Sequence, residues 1–211
     1  MFDELLENCM NEEVEDFDDA YQKILSGCTK NPDGTYSTDG NIVFPKELHL
    51  TKLPVKFKYV GGWFDCSHND LTSLAGAPEK VGGRFSCSNN NLISLEGTPK
   101  EVGGSFDCFN NDLTSLEGAP KEVSGSFSCS NNKLTSLKGA PEKVGRDFYC
   151  THNDLTSLEG APEEVGGSFN CSNNKLTSLE GVPEKVSRDF CCSNNVVSEE
   201  ELKKTVDREY F

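Results

Sequence analysis

The chain has 211 residues, of which 35 are acidic and 20 basic, giving a formal net charge of -15. This length suits one medium domain or one elongated array and leaves little room for a second, catalytic domain. A strongly negative chain repels phosphate backbones, which argues against direct nucleic-acid binding and favours a protein partner. No stretch approaches the roughly 18 apolar residues of a membrane span, and the N-terminal sequence MFDELLENCM lacks a signal-peptide pattern, so we expect a soluble, cytoplasmic protein.

Residues 1–29 form an acidic segment whose apolar residues recur at three- and four-residue spacing, which predicts an amphipathic helix ending at Ser26-Gly27. The helix is expected to cap the array through Phe2, Leu6, Phe17 and Tyr21, or to dock on another protein itself. Its densest acidic run has two interpretations, a solvated helix face or a mimic of nucleic-acid phosphates. The run consists of Glu12, Glu13, Glu15, Asp16, Asp18 and Asp19.

Residues 30–59 are rich in turn signals and contain a degraded first repeat. The second signal, Thr38-Asp39-Gly40, lies between Tyr36 and the run Ile42-Val43-Phe44, which predicts a hairpin. Counting back 21 residues from the first intact repeat places Val43 at the Phe position and Pro45 at the Cys position.

Residues 60–197 are an internal repeat with a fixed period of 21 residues, and a fixed period decides the fold before local propensity does. The unit reads V-G-G-x-F-x-C-x-x-N-x-L-T-S-L-x-G-x-P-x-x. Seven of the ten cysteines keep this period: Cys66, Cys87, Cys108, Cys129, Cys150, Cys171 and Cys192. One coil alone cannot close a core, so the units are predicted to stack into a solenoid of seven coils plus the degraded one.

Each unit contains the elements of one coil. The alternation F-x-C predicts a short strand with one buried face, and the strands are expected to form a parallel sheet. The Gly after L-T-S-L permits a left-handed backbone, and the Pro favours an extended, polyproline-like return on the convex side. An Asn three residues after each Cys is predicted to satisfy backbone groups inside the bend. These residues are Asn69, Asn90, Asn111, Asn132, Asn153, Asn174 and Asn195.

The pattern F-x-C-x-x-N-x-L-x-x-L resembles the leucine-rich repeat pattern L-x-L-x-x-N-x-L-x-x-L, with Phe and Cys at two Leu positions. The Pro-containing return is similar to the short type known from bacterial effector proteins. The Cys-bearing unit, with the lead-in segments D-G-T-Y-S-T-D-G-N-I-V-F and L-T-K-L-P-V-K-F, resembles small proteins of tailed bacteriophages. The resemblance implies a parallel-β leucine-rich repeat solenoid. Effectors of this type with ubiquitin-ligase activity carry a separate C-terminal catalytic domain, for which residues 198–211 are too short.

The reactive residue types have structural interpretations. Alternation with Phe turns the Cys column inward, where Cys acts as a small hydrophobe, and zinc motifs place their cysteines much closer together. Cys191 is expected to face solvent. His68 and His152 share one repeat position four coils apart, so they cannot act on one substrate or ion. We therefore expect no metal, no cofactor and no catalysis.

Variation is concentrated in three columns, which lie three before, one before and one after each Cys. Alternation turns these columns toward the concave surface. Against a background of Ser and Asn, outward aromatic residues and Arg stand out, because these types anchor interfaces; drift in a solvent-facing column is the simpler alternative. The predicted partner-binding patch consists of Trp63, Asp65, Arg84, Asp107, Phe109, Asp147 and Tyr149.

At the C-terminal end, residues 198–211 begin with a capping box, Ser198 with Glu201, which predicts a short capping helix. Capped ends favour a monomer. The sequence as a whole predicts a non-catalytic interaction module, and the phage resemblance implies a protein that binds and inhibits a host protein such as a defence or nucleic-acid enzyme. An acidic mimic acting through the N-terminal segment and a virion or assembly component are the alternatives.

Overall fold

The computed structural model of the chain describes residues 19–198 and 200–201. They confirm the predicted repeat solenoid: successive coils stack with their strands parallel and in register, one coil pairing with the next. Residues 19–25 are helical, and Lys46–Leu48 form one turn of 3-10 helix. Among these residues, no helix is long and apolar enough to cross a membrane.

Two sheets run the length of the solenoid. Sheet A has nine strands, all parallel except for the antiparallel pair β1–β2: β1 (Thr29–Lys30), β2 (Tyr36–Thr38), β4 (Phe57–Val60), β6 (Lys80–Val81), β8 (Glu101–Val102), β10 (Glu122–Val123), β12 (Lys143–Val144), β14 (Glu164–Val165) and β16 (Lys185–Val186). Sheet B has eight parallel strands: β3 (Ile42–Val43), β5 (Phe64–Asp65), β7 (Phe85–Ser86), β9 (Phe106–Asp107), β11 (Phe127–Ser128), β13 (Phe148–Tyr149), β15 (Phe169–Asn170) and β17 (Phe190–Cys191).

Sheet B is the parallel sheet that the F-x-C pattern predicts, whereas sheet A was not predicted from the sequence. The return segment after each Pro ends in a two-residue strand whose Val is buried, as at Val81, and whose preceding residue is exposed. From Lys80 to Lys185 neighbouring coils carry opposite charges at these exposed positions, except for Glu101 and Glu122, and Lys80 and Glu101 form an ion pair of 2.7 Å. The return is therefore held by strand pairing as well as by the extended backbone that Pro favours.

Glycine makes the corners of the coil possible. A Cβ on Gly82 would lie 2.2 Å from the carbonyl oxygen of Gly61, so the corner between the two sheets favours glycine, although Ser124 and Ser187 take this position in two other coils. At the opposite corner Gly76 adopts φ +99, in the left-handed region that favours glycine. The period of the glycines thus follows from the close approach of one coil to the next.

The core between the sheets consists of repeated columns. One Phe per coil stacks on the next, with ring centroids 5.1 to 5.6 Å apart from Phe64 to Phe190. Two Leu columns and the Val column fill the rest of the interior. Because every coil contributes the same side chains, each interface between coils buries an equivalent set of apolar groups, and the stacking adds contacts beyond simple burial.

The Asn three residues after each Cys ties its own coil to the coil before. The Asn90 side-chain amide donates to the carbonyl oxygens of Cys66 and Cys87, both at 3.0 Å, and its oxygen accepts from the Leu71 amide at 2.9 Å. The same set of bonds recurs at Asn111. No buried side-chain nitrogen or oxygen lacks a partner in the part of the chain that the structure describes.

The first coil differs from the sequence interpretation in register. Ile42 pairs with Phe64 and is buried, so Ile42 and not Val43 occupies the Phe position. Phe44 is also buried and follows the strand at the Cys position assigned to Pro45. A bulge between Tyr36 and Ser37 introduces this one-residue shift. Only the apolar pattern Ile-x-Phe, and not the count of 21, fits the buried face of the strand.

The predicted hairpin around Thr38-Asp39-Gly40 is wrong, because β2 lies in sheet A and β3 in sheet B. This turn carries the chain from one sheet to the other, as the Gly-Gly corners do in later coils. The hairpin forms instead at the preceding turn, where β1 and β2 pair on either side of residues 31–35. At the other end, the amide of Glu201 donates to Ser198 Oγ at 3.2 Å, the bond of the predicted capping box.

Candidate functional site

The outward side of sheet B carries the predicted patch. Side chains in the three variable columns contact one another within and between coils: Ser86 and Ser88 join their hydroxyls at 3.1 Å, and Arg84 reaches Asp107 of the next coil at 2.6 Å. The columns therefore share one surface, which we call the B face. It holds Trp63, Asp65, Arg84, Asp107, Phe109, Asp147 and Tyr149.

Trp63 is the most exposed aromatic residue of the B face, with 59% of its surface accessible. Its backbone amide donates to Asn41 Oδ1 at 2.8 Å. Its indole Cδ1 lies over Gly83 of the next coil, where an added Cβ would approach within 2.8 Å of the ring. The glycine therefore makes room for an indole that stays outside the core yet rests on the backbone of the next coil.

Arg84 and Asp107 neutralise each other in the middle of the B face. The Asp107 side chain retains 13% of its exposure, against 50% for Arg84. Burial raises the pKa of the Asp107 carboxyl above its usual value, and the bond to Arg84 opposes that rise. Phe109 follows two residues after Asp107 and is partly buried. The centre of the face thus carries a closed ion pair beside a half-covered aromatic ring.

Asp65 is the last residue of β5, and Trp63 immediately precedes that strand. Asp65 Oδ1 accepts from both the amide and the hydroxyl of Ser67, at 2.9 and 2.5 Å. These bonds fix the carboxylate without neutralising it, and Asp65 forms no ion pair with any residue in the described ranges.

Four coils further along, Tyr149 is the last residue of β13 and Asp147 immediately precedes that strand. The Asp147 carboxylate accepts from the Ser168 amide at 2.8 Å and from the Ser126 hydroxyl at 3.5 Å, so both neighbouring coils hold it. Partial burial, the charge of Asp147 and a hydrogen bond to its carboxylate raise the pKa of Tyr149. Tyr149 is 37% exposed. The carboxylate and the ring therefore form one local unit.

Sequence reasoning missed one apolar member of this surface. Val43 pairs with Asp65 across β3 and β5 and is 49% exposed, so it extends the B face beside Trp63. The count of 21 had placed Val43 in the core; the apolar residues on either side of it were the signal that could have shown the shift.

The alternative binding surface is the acidic run from Glu12 to Asp19, of which the structure describes only Asp19. Asp19 is exposed and lines a groove between the helical residues 19–25 and β3, together with Ile24, Val43 and Pro45. The other predicted members, Glu12, Glu13, Glu15, Asp16 and Asp18, lie outside the described residues, as does the apolar set Phe2, Leu6 and Phe17 of the predicted helix.

The Cys column lies on the opposite, inward side of the same strands. From Cys66 to Cys171 the thiols are fully buried, and Cys66 Sγ donates to the Ser86 carbonyl at 3.3 Å. Burial raises the pKa of these thiols well above its usual value. Cys192 of the last coil is partly buried and Cys191 is exposed. Within residues 19–198 and 200–201, no three His, Cys, Asp or Glu side chains group closely enough to hold a metal ion.

Comparison with known proteins finds no protein-family model that matches the chain and no curated protein that matches it at a significant level. The fold is therefore identified by its own geometry: the chain is a parallel β-solenoid of 21-residue coils.

Proposed function

We propose that the protein is a non-catalytic module that binds another protein through the B face. The observation that carries the proposal is Trp63: the single tryptophan of the sequence lies outside the core, 59% exposed, immediately before β5, which is held in register by β3 and β7. Tryptophan, tyrosine and arginine are the types that contribute most to protein interfaces. A solenoid strand presents them without the entropy cost of ordering a loop.

The contrast with the interior supports this assignment. The Phe, Cys, Asn and Leu columns repeat from coil to coil, whereas the indole of Trp63 and the phenol of Tyr149 occur in one coil each and lie outside the core. Phe109, two coils from each, lies between them on the same surface, and aromatic residues that share a surface are typical of binding sites.

The repeat pattern adds a biological setting to the proposal. The unit resembles leucine-rich repeats, and its Cys-bearing form resembles small proteins of tailed bacteriophages. On that basis we propose a phage-encoded monomer that binds and inhibits a protein of the bacterial cytoplasm, such as a defence or nucleic-acid enzyme.

Affinity capture from bacterial lysate tests the proposal. The bait is the wild-type chain beside a variant with Trp63→Ala, Phe109→Ala and Tyr149→Ala. A matched control replaces two apolar residues that are exposed elsewhere, Ile93→Ala and Val196→Ala, which are 67% and 69% accessible. We expect a partner that the wild type and the control retain and that the folded triple variant loses. Equal retention by all three would reject the B face.

The acidic run of the N-terminal segment favours a second candidate, a mimic of nucleic-acid phosphates. Five carboxylates from Glu12 to Asp18, followed by the exposed Asp19, would bind a basic nucleic-acid site. Replacing the six acids by Asn and Gln, with the B face intact, separates the two candidates. A mimic loses its partner in this variant and at high salt, whereas a B-face binder keeps it.

A further inference from the structure

The B face holds three pairs in which an aromatic residue and a carboxylate are two positions apart, and in one of them, Asp107 with Phe109, the carboxylate is bound to Arg84. The other two pairs are Trp63 with Asp65 at β5 and Asp147 with Tyr149 at β13. Residues two apart along an extended backbone point to the same side. Each of these two pairs therefore presents a ring and a negative charge on one side of the sheet.

The carboxylate of each of these two pairs is held in place but is not neutralised. Asp65 is fixed by Ser67, and Asp147 by the amide of Ser168. Neither forms an ion pair within the part of the chain that the structure describes. Between them, Arg84 and Asp107 cancel each other. The B face thus carries an aromatic ring with a negatively charged carboxylate on each side of the neutral Arg84–Asp107 ion pair.

This arrangement suits two cationic side chains. A guanidinium or ammonium group binds the face of an aromatic ring and bonds a carboxylate at the same time. The two pairs are four coils apart, which corresponds to about 20 Å at the spacing of paired strands. An extended peptide advances about 3.3 Å per residue, so six residues span that distance, and residues six apart lie on the same side of it.

We propose that the B face binds an extended segment of a partner protein that carries two Arg or Lys side chains six residues apart and lies along the solenoid axis. This inference rests on the proposed function and names the chemistry of the partner. Both pairs are negatively charged, and neither carboxylate has an ion-pair partner among the residues that the structure describes. Charge complementarity therefore favours a basic segment over an acidic or a purely apolar one.

Synthetic peptides of a Gly-Ser background test the spacing. Two Arg residues are placed four, six or ten positions apart, all even spacings that keep the side chains on one side, and a fourth peptide carries two Glu six apart. Trp63 is the single tryptophan, so its fluorescence reports binding directly at the first pair. We expect the six-residue spacing to bind about tenfold more tightly than the others at low salt, since both arms engage together.

Variants locate the binding at the two carboxylates. Asp65→Asn and Asp147→Asn retain an oxygen that accepts the Ser67 and Ser168 bonds while losing the charge. Each is expected to reduce binding of the six-spaced peptide about tenfold, to the level of a single arm. The control Glu117→Gln, Glu159→Gln removes two exposed charges outside the B face and should leave binding unchanged. Thermal unfolding verifies that every variant is folded.

Several results would overturn the inference. Equal binding at all three spacings would reject the two-pair geometry, and an absence of binding by any Arg peptide would reject a basic partner. Spermine binding as tightly as the six-spaced peptide, with the same loss in Asp65→Asn and Asp147→Asn, would identify a polyamine site instead of a protein site.

A random peptide library, selected on the wild type and then tested on the Trp63→Ala, Tyr149→Ala variant, separates this inference from the proposed function. Recovered peptides that need the two aromatic residues and carry paired basic residues support both. Recovered peptides that need them but carry no basic residues reject the inference and leave the B face as a binding surface. If no peptide depends on the two aromatic residues, both proposals fail.

Discussion

The two sides of sheet B are built from alternate residues of the same strands, yet they follow opposite rules. On the inward side every intact coil has Phe and Cys, and the Phe rings stack at 5.1 to 5.6 Å. On the outward side Trp63, Arg84 and Asp147 occupy a position that is Ser in three other coils. Stacking makes each inward residue depend on its equivalents in the neighbouring coils, whereas the outward residues have no such requirement. The inward residues therefore hold the coils together, whereas the outward residues can vary and so recognise a partner.

The inward thiols give the largest expected effect. Burial raises their pKa, so the folded state keeps six thiols protonated where the unfolded chain ionises them near its ordinary value of about 8.5. Their contribution to stability is present below that pH and is lost as pH rises above it. The free energy of unfolding should fall by about 1.4 kcal/mol per thiol for each pH unit, or about 8 kcal/mol for the six.

Denaturant unfolding at a series of pH values from 7.5 to 10 measures this dependence. The variant Cys108→Ala, Cys129→Ala removes two of the six thiols, so its slope against pH should be about one third shallower. Equal slopes in the two proteins would show that other groups cause the alkaline loss of stability.

The Phe stack gives the next largest effect. Phe127→Ala removes a buried ring that contacts Phe106 and Phe148, leaving a cavity at the middle of the array. We expect a loss of about 4 kcal/mol in the free energy of unfolding. Ser128→Ala, on the outward side of the same strand, is the control and should change it by under about 0.5 kcal/mol. A loss below about 1 kcal/mol at Phe127 would mean that the coils do not depend on the stack.

The bridging Asn residues come next. Asn111→Ala leaves the buried Leu92 amide without its acceptor and removes one of two Asn donors from each of the Cys87 and Cys108 carbonyls, which keep Asn90 and Asn132. The expected loss is about 2 kcal/mol, the cost of the unsatisfied amide and the lost bonds. Its neighbour Asn110 is exposed and adopts φ +53, so Asn110→Gly should be nearly neutral. Similar losses at both positions would indicate that the turn, and not the bridge, sets the stability.

The smallest effect is expected on the outward side. Trp63→Ala removes an indole that is 59% exposed, and the free energy of unfolding should change by under about 0.5 kcal/mol in denaturant titration. A loss above about 1.5 kcal/mol would show that the indole serves the scaffold through its contact with Gly83. It would also weaken the distinction between the two sides.

The sequence predicts the solenoid because Phe, Cys and Asn recur with a fixed count, and any residue tied to its equivalent in the next coil must keep that count. Sheet A was not predicted, since a strand such as Lys80–Val81 contributes one buried apolar residue per coil, whereas the F-x-C pattern at sheet B contributes two at alternate positions. The shift at Ile42 was missed because a bulge changes register without changing composition.

The alternation of side chains along each coil predicts which residues lie on the B face, but it does not predict which neighbours they contact. Nothing in the pattern V-G-G-x-F indicates that Gly83 accommodates the indole of Trp63, because the same glycine also forms a corner. Likewise, the bond from Ser168 to Asp147 joins residues of two coils at one repeat position, which a reading along the chain does not connect.

The bonds of each Asn, which reach no further than the adjacent coil, have a genetic consequence. An in-frame duplication or deletion of the stretch that encodes one 21-residue unit would leave every remaining interface with the partners it needs. Such a change would therefore lengthen or shorten the array in whole units. The distance between the tryptophan pair and the tyrosine pair would change with it in steps of about 5 Å, so unequal recombination alone could retune which partners the surface fits.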